Sequence, residues 1–193
     1  MALPGESLSS SPRPSQFAGG RALAVSSRQD YETGGVALQD PSRGLQVQMW
    51  RARLIGQDVV IDADTVAPVT WYSAPGITEI SFTFDQNMRP VLAFVQDGVA
   101  KLRWFDPVAG AVVVVDIGAG VVTPRVALDD KRRFGLPDSD VILAYIRGGA
   151  LYYRQQRERF QTERLLDAGP HYRLIKIGMG RGLRMQFDLE YPE

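Results

Sequence analysis

Two similar stretches decide the fold, VLAFVQDG at residues 91–98 and ILAYIRGG at residues 142–149. Each places a short turn after an apolar run, and a second run follows, LRWF at residues 102–105 and LYYR at residues 151–154. Apolar runs joined by Asp-Gly or Gly-Gly turns predict β-hairpins. Because the second copy follows the first by about fifty residues, the sequence predicts a repeated sheet unit.

The size of this repeat matches one blade of a β-propeller. Each copy is preceded by a run that ends in aspartate, Phe84-Asp85 or Leu128-Asp129, and is followed by another run, which gives about four strands. Such four-stranded sheets bury their faces against neighbouring sheets. Two such units leave two outer faces exposed, so this interpretation predicts that another subunit or protein covers them. A plain antiparallel sandwich repeats hairpins as well, and both architectures stay open.

The rest of the chain from residue 45 onward has the period-two alternation and β-branched or aromatic runs of short antiparallel strands. Strands are predicted at residues 45–54, 58–61, 69–72, 80–84, 91–95, 100–105, 112–117, 125–128, 141–146, 151–155, 160–165, 173–177 and 183–189. Residues 153–166 also fit a charged amphipathic helix, but their β-rich context favours two strands joined at residues 157–159. The predicted fold class is all-β, an antiparallel β-sandwich or partial propeller-like sheets with an extended N-terminal arm.

Residues 1–43 are rich in serine, proline and glycine and contain few apolar anchors. This composition predicts an arm without a core of its own, followed by an antiparallel β domain at residues 44–193. Ordering such an arm costs about 1–2 kcal/mol per residue in backbone entropy, so we expect it to lie along a partner. Deletion of residues 1–35 is expected to leave the β domain folded.

The overall composition excludes several classes of protein. With 22 Lys and Arg against 22 Asp and Glu, the chain lacks the positive field of a nucleic-acid-binding protein, and no specific nucleic-acid partner is expected. The absence of cysteine excludes disulfides and thiolate chemistry. No apolar run approaches the roughly 20 residues of a membrane-spanning helix, and the start has no secretory-signal pattern, so synthesis in the cytoplasm is expected.

The sequence predicts no catalytic, cofactor-binding or metal-binding residues. The single histidine, His171, follows Gly169-Pro170 in a turn-like stretch and is interpreted as a surface or interface residue. The acidic residues of 129–130 and 138–140 suggest calcium, but the three cations at residues 131–133 argue against it. Residues 178–182 are glycine-rich without a following helix, which favours a hairpin loop over a phosphate site.

Aromatic residues occur in adjacent pairs along the predicted strands. Because successive side chains point to opposite faces, one ring of each pair is expected to face inward and the other outward. An outward ring can stack on a sugar or on another subunit, and the candidates for such a contact are Trp71, Trp104 and Tyr153. The uncharged run at residues 112–115 is an aggregation hazard on an open edge, so it is expected to be covered in an obligate oligomer.

Several of these strand patterns resemble small virion structural proteins encoded among the tail genes of tailed bacteriophages. The resemblance covers about residues 35–189 and depends on strand and turn patterns rather than on a catalytic signature. The stretches that carry it lie at residues 77–94, 102–106, 140–145, 152–157 and 184–187.

The resemblance implies a non-enzymatic, homo-oligomeric tail protein that links the tail tip or nozzle to the fibres. It implies that the chain resides in the virion tail, with the N-terminal arm contacting another tail protein, and it supplies no catalytic residues. The alternative function is a carbohydrate-binding, receptor-binding module of the same tail that recognises a host glycan through outward Trp and Tyr rings.

Overall fold

The computed structural model describes residues 22–23, 33–40, 46–63, 66–129, 139–179 and 184–191. These residues form four antiparallel sheets, here named A to D in chain order, and the predicted all-β class is confirmed. Sheet A contains β1 (Ala22–Leu23), β2 (Thr33–Asp40), β3 (Gln46–Ile55), β4 (Asp58–Ala63) and β5 (Val66–Ser73). Sheet B contains β6 (Ile77–Phe84), β7 (Pro90–Gln96), β8 (Val99–Asp106) and β9 (Ala111–Ala119). Sheet C contains β10 (Val121–Asp129), β11 (Asp140–Arg147), β12 (Ala150–Gln155) and β13 (Arg164–Asp167), and sheet D contains β14 (Arg173–Met179) and β15 (Met185–Glu190).

The sheets stack in chain order through their early strands. In every sheet, strands that are consecutive in sequence are also neighbours in the sheet. Strand β2 lies against β6, β6 lies against β10, and β10 lies against β14. Burial falls from these inner strands outward, so that β7 is largely buried whereas the last strand of sheet B, β9, is largely exposed. Strand order and stacking thus follow the propeller-like alternative.

The two similar stretches form equivalent hairpins in sheets B and C. In β7–β8, Leu92 pairs with Arg103, and in β11–β12, Leu143 pairs with Arg154 at the same distance from the turn. Both turns have two residues with positive φ, 50° and 75° in Asp97-Gly98 and 58° and 80° in Gly148-Gly149, as a type I′ hairpin requires. Phe94 and Tyr145 occupy the second strand of each sheet and are both fully buried. The predicted repeat is confirmed in strand order and register.

The outer faces of this pair of sheets are covered within the same chain. Trp50 of sheet A packs edge-on against Phe84 of sheet B at a ring distance of 5.8 Å. On the other side, Leu174 and Ile177 of sheet D share a buried cluster with Ile146 of sheet C. The expectation that another subunit must cover these faces is wrong, because sheets A and D enclose sheets B and C.

The two ends of the stack carry polar side chains. On the outer face of sheet A, Arg51 and Arg53 both bind the carboxylate of Asp62. On the outer face of sheet D, Lys176 lies 3.0 Å from the Asp188 carboxylate. Polar outer faces are typical of the capping units that end a stacked array.

The observed strands differ from the predicted strands mainly in where they begin and end. A 3-10 turn at Gln156–Glu158 joins β12 to β13, so the two-strand interpretation of residues 153–166 is confirmed. The last strand of sheet C begins at Arg164 instead of residue 160, because Arg159 and Phe160 both have positive φ and reverse the chain there. Strand β2 lies within the predicted arm and pairs with β3 along its whole length; most of the remaining arm lies outside the described residues.

Hydroxyl groups connect the inner strands of successive sheets. The Val126 N–H of β10 donates to Ser81 Oγ of β6 at 3.0 Å. The Leu174 N–H of β14 donates in the same way to Thr123 Oγ1 of β10 at 2.9 Å. These backbone donors are buried, and an unpaired buried N–H is costly. Each hydroxyl therefore satisfies a donor of the next sheet and fixes the distance between the two sheets.

Arg125 of β10 joins three sheets from one position. Its side chain is only 1% exposed, and its Nε donates to the Ile175 carbonyl of β14 at 3.0 Å. Its Nη1 lies 3.7 Å from the Glu79 carboxylate of β6. Burial raises the pKa of Glu79, while the charge of Arg125 and a backbone hydrogen bond from Thr123 oppose this rise.

Replacing Ser81 by alanine should lower the free energy of unfolding by about 1–3 kcal/mol, because the buried Val126 N–H loses its acceptor. Urea denaturation of the purified variant measures this loss. The matched control is Ser73→Ala, since Ser73 is exposed at the end of β5. Equal stability of the two variants would contradict the proposed link between sheets B and C.

Two truncated chains should distinguish the contribution of β2 to stability from that of the residues that precede it. Removal of residues 1–40 deletes the strand that pairs with β3 and lies against β6, so we expect a lower melting temperature. Removal of residues 1–32 keeps β2, and the variant should unfold cooperatively close to the melting temperature of the full chain. Thermal unfolding followed by circular dichroism compares the two, and identical melting temperatures would contradict a stabilising role for β2.

Candidate functional site

The three aromatic residues predicted to make external contacts lie in three different layers between sheets. Trp71 packs against Phe82 at a ring distance of 6.1 Å, between sheets A and B. Trp104 packs edge-on against Phe160 at 5.1 Å, between sheets B and C. Tyr153 packs against the cluster that joins sheets C and D. The structure does not bring these three residues together.

The exposure of these rings limits what they can bind. Trp104 is 2% exposed, so its indole has no open face on which a sugar can stack. Trp71 is half-buried, and the Arg103 guanidinium lies 4.1 Å from its ring centre. The guanidinium of Arg164 lies 5.9 Å from the ring of half-buried Tyr153. All three rings contribute to the packing between sheets.

A cavity between sheets B and C is the site that sequence reasoning missed. It has a volume of about 380 Å³ and lies where β6 turns into β7. Sheet B contributes Asp85, Gln86, Asn87, Arg89, Trp104, Pro107 and Val108, and sheet C with its connections contributes Ser139, Asp140, Gln156, Arg157 and Arg159. The available sequence signal is an aspartate at the same place in both copies of the repeat, Asp85 directly after β6 and Asp129 as the last residue of β10.

Asp85 organises the turn on the sheet B side of the cavity. Its Oδ1 accepts the backbone N–H groups of Asn87 and Arg89, both at 2.8 Å. Its Oδ2 accepts a hydrogen bond from Gln156 Nε2 at 3.3 Å, which connects this turn to the sheet C side. Burial raises the pKa of Asp85, and the backbone N–H donors oppose the rise without cancelling it.

Two ion pairs hold the 3-10 turn at the cavity. Arg159 binds the Asp106 carboxylate at the end of β8, and this hydrogen bond lowers the pKa of Asp106. Arg157 binds Asp140 at the start of β11 through both its backbone N–H and its Nε. These carboxylates are therefore occupied by arginines of the same chain.

Arg89 differs from the other two arginines of the cavity. Its guanidinium carbon lies 3.9 Å from the ring centre of Phe105. Its Nε is buried without a hydrogen-bond partner, and no carboxylate of the described residues forms an ion pair with it. The indole Nε1 of Trp104 is also buried without a partner. Two residues that line the cavity thus carry unused donors.

Among the residues that the structure describes, the remaining titratable groups do not form a recognisable catalytic arrangement. His171 is 5% exposed and packs edge-on against Tyr191, which corrects its interpretation as a surface or interface residue. Its Nε2 lies 3.2 Å from Asp167 Oδ2. Asp129 pairs with Asp140 across β10 and β11, while residues 130–138 lie outside the described part of the chain. Within the described residues, no group of three or more His, Asp or Glu side chains is placed to hold a metal ion.

Comparisons with known proteins identify no relative: no family model, curated protein or solved structure matches this chain. In the part of the chain that the structure describes, no helix is long and apolar enough to cross a membrane. The exposed edges of the sheets and the cavity are the features of the molecule that bear on its function.

The carboxylates of Asp85 and Asp106 should have opposite effects on the pH dependence of stability. The pKa of Asp85 is raised in the folded protein, so the native state binds more protons than the unfolded chain above pH 3.8 and stability falls as pH rises. The pKa of Asp106 is lowered, so its contribution is present above pH 3.8 and is lost as pH falls through the lower folded value.

Urea denaturation between about pH 3 and pH 7 tests these signs. The stability of Asp85→Asn relative to the parent protein should rise with pH, and that of Asp106→Asn should fall with pH. Each variant is the matched control for the other, since both remove one carboxylate from the same region. The same pH trend in both variants would contradict the assigned shifts.

Proposed function

We propose that this chain is a non-enzymatic structural protein of a bacteriophage tail that forms homo-oligomers and links the tail tip or nozzle to the fibres. The strand and turn patterns of the resemblance support the assignment to the tail. The exposed edge of sheet B is the observation that carries the role in assembly. In this proposal the protein resides in the virion tail and the N-terminal arm contacts another tail protein.

Among the described residues, no further strand pairs with β9, and the first five residues of β9 lack the usual protection of an edge strand. Strand β9 is the outermost strand of sheet B, and Val112, Val114 and Val115 are 45%, 44% and 38% exposed. Monomeric proteins usually protect such an edge with charges, proline or a bulge. Residues 111–115 contain no charge or proline, and the shift in register within β9 occurs beyond them, opposite Ala100 and Lys101. This edge is suited to pairing with a strand of another subunit.

The bonding of the carboxylates at the cavity supports a non-enzymatic role. General acid-base catalysis needs a titratable group within reach of a substrate proton. Asp106 and Asp140 are each bound by an arginine, and both oxygens of Asp85 accept hydrogen bonds from the protein. These carboxylates hold the turns of sheets B and C in place.

Recognition of a host glycan within the same tail is the second candidate function. The cavity favours it, because amide, guanidinium and carboxylate side chains are grouped there beside the indole of Trp104. The buried position of Trp104 argues against sugar stacking on that ring at the protein surface. A glycan site of this kind is compatible with a structural role.

The solution mass of the purified protein tests the proposed assembly. The parent protein should be a homo-oligomer at micromolar concentration, and Val114→Lys should shift it toward monomer, because a charge then lies in the exposed edge. Val122→Lys is the matched control, since Val122 has nearly the same exposure, 45%, but lies in the first strand of sheet C. A monodisperse parent monomer, measured by light scattering, would overturn the proposal.

A further inference from the structure

Arg89 lines the cavity between sheets B and C, forms no ion pair with a described residue, and has a buried Nε without a hydrogen-bond partner. Stacking on Phe105 holds the guanidinium plane in position but accepts none of its hydrogen bonds. A guanidinium is always charged, and its planar set of donors matches a carboxylate in a bidentate fashion. The feature that Arg89 lacks among the described residues is therefore an anionic acceptor.

The acidic residues nearby do not supply that acceptor. Asp140 binds Arg157 and Asp106 binds Arg159, so these charges are neutralised in pairs. The positive charge of Arg89 opposes the rise in the pKa of Asp85, which burial causes. The two carboxylate oxygens of Asp85, however, accept hydrogen bonds from two backbone N–H groups and from Gln156. Arg89 forms no ion pair with any of the three.

The rest of the cavity suits a small molecule with hydroxyl groups. The side chains of Asn87, Ser139 and Gln156 line it together with Trp104 and Pro107. Gln86 Oε1 accepts the Ser139 N–H at 2.9 Å and so joins the two sides. A volume of about 380 Å³ lies within the range of small-molecule sites, and a few polar groups in such a site fix the orientation of the ligand.

We propose that this cavity binds one acidic sugar residue, with Arg89 donating to its carboxylate and the amide side chains contacting its hydroxyl groups. Charge-assisted, bidentate hydrogen bonds of this kind are among the strongest that side chains form. The proposal is independent of the edge of sheet B, because no residue of β9 lines the cavity.

Isothermal titration calorimetry with the full chain tests the proposal, using glucuronic acid, its neutral counterpart glucose, and acetate. Glucuronic acid should bind, while glucose and acetate should each bind at least about tenfold more weakly. Glucose lacks the carboxylate that Arg89 would bind, and acetate lacks the hydroxyl groups that the amide side chains would contact. Arg89→Gln should weaken glucuronic acid binding at least about tenfold, and Arg89→Lys should weaken it less because it keeps the charge.

The matched control is Lys101→Gln, which removes one positive charge from sheet B outside the cavity and should leave the affinity unchanged. If circular dichroism shows that Arg89→Gln does not fold, Asn87→Ala is measured instead. This change should leave the fold intact, because the Asn87 side chain is exposed and the backbone N–H of residue 87 still donates to Asp85. Absence of heat at millimolar glucuronic acid, equal affinity for glucose, or unchanged affinity in the Arg89 and Asn87 variants would overturn the proposal.

Discussion

The hydrogen bonds between inner strands are the constraint on which the rest of the structure depends. The inner strands β6, β10 and β14 each have a ladder partner on one side only, so the N–H groups on the other edge need acceptors from the neighbouring sheet. Ser81 and Thr123 supply these acceptors, and Arg125 adds contacts from β10 to β6 and β14. Sheets B, C and D are thereby fixed to one another at their inner edges.

The positions of the aromatic residues and the cavity agree with this constraint. Large rings of later strands pack across the layers, as Tyr72 does against Phe94 and Trp104 does against Phe160. Between sheets B and C, the layer ends in turns rather than in further apolar side chains. The Arg159–Asp106 ion pair and the hydrogen bond from Gln156 to Asp85 connect those turns across the layer, and the space between them is the cavity.

Much of the fold could be predicted because its signals are local. Asp97-Gly98 and Gly148-Gly149 determine hairpin register through their own backbone angles, and the repeat follows from comparing them. The alternation of side chains along a strand also predicts that Tyr152 and Tyr153 lie on opposite faces of the sheet, as they do. The alternation could not predict that both faces are covered, because this coverage depends on the positions of sheets B and D on either side of sheet C.

The remaining features depend on contacts between distant parts of the sequence. Strand β2 contains Gly34-Gly35 and resembles a loop by composition; its pairing with β3 makes it a strand. Arg89 and Gln156 meet at the cavity although many residues separate them, and neither belongs to a recognisable motif. Only the packed structure distinguishes Arg89 from the two arginines that have carboxylate partners.

The polar outer faces of sheets A and D make the stack self-limiting. Further copies of the chain cannot extend it face to face without burying the ion pairs of Arg51 and Arg53 with Asp62, or of Lys176 with Asp188. Desolvating such pairs costs free energy that their mutual attraction seldom returns. Growth in the stacking direction is therefore disfavoured, which leaves the sheet edges as the surfaces on which the proposed assembly depends.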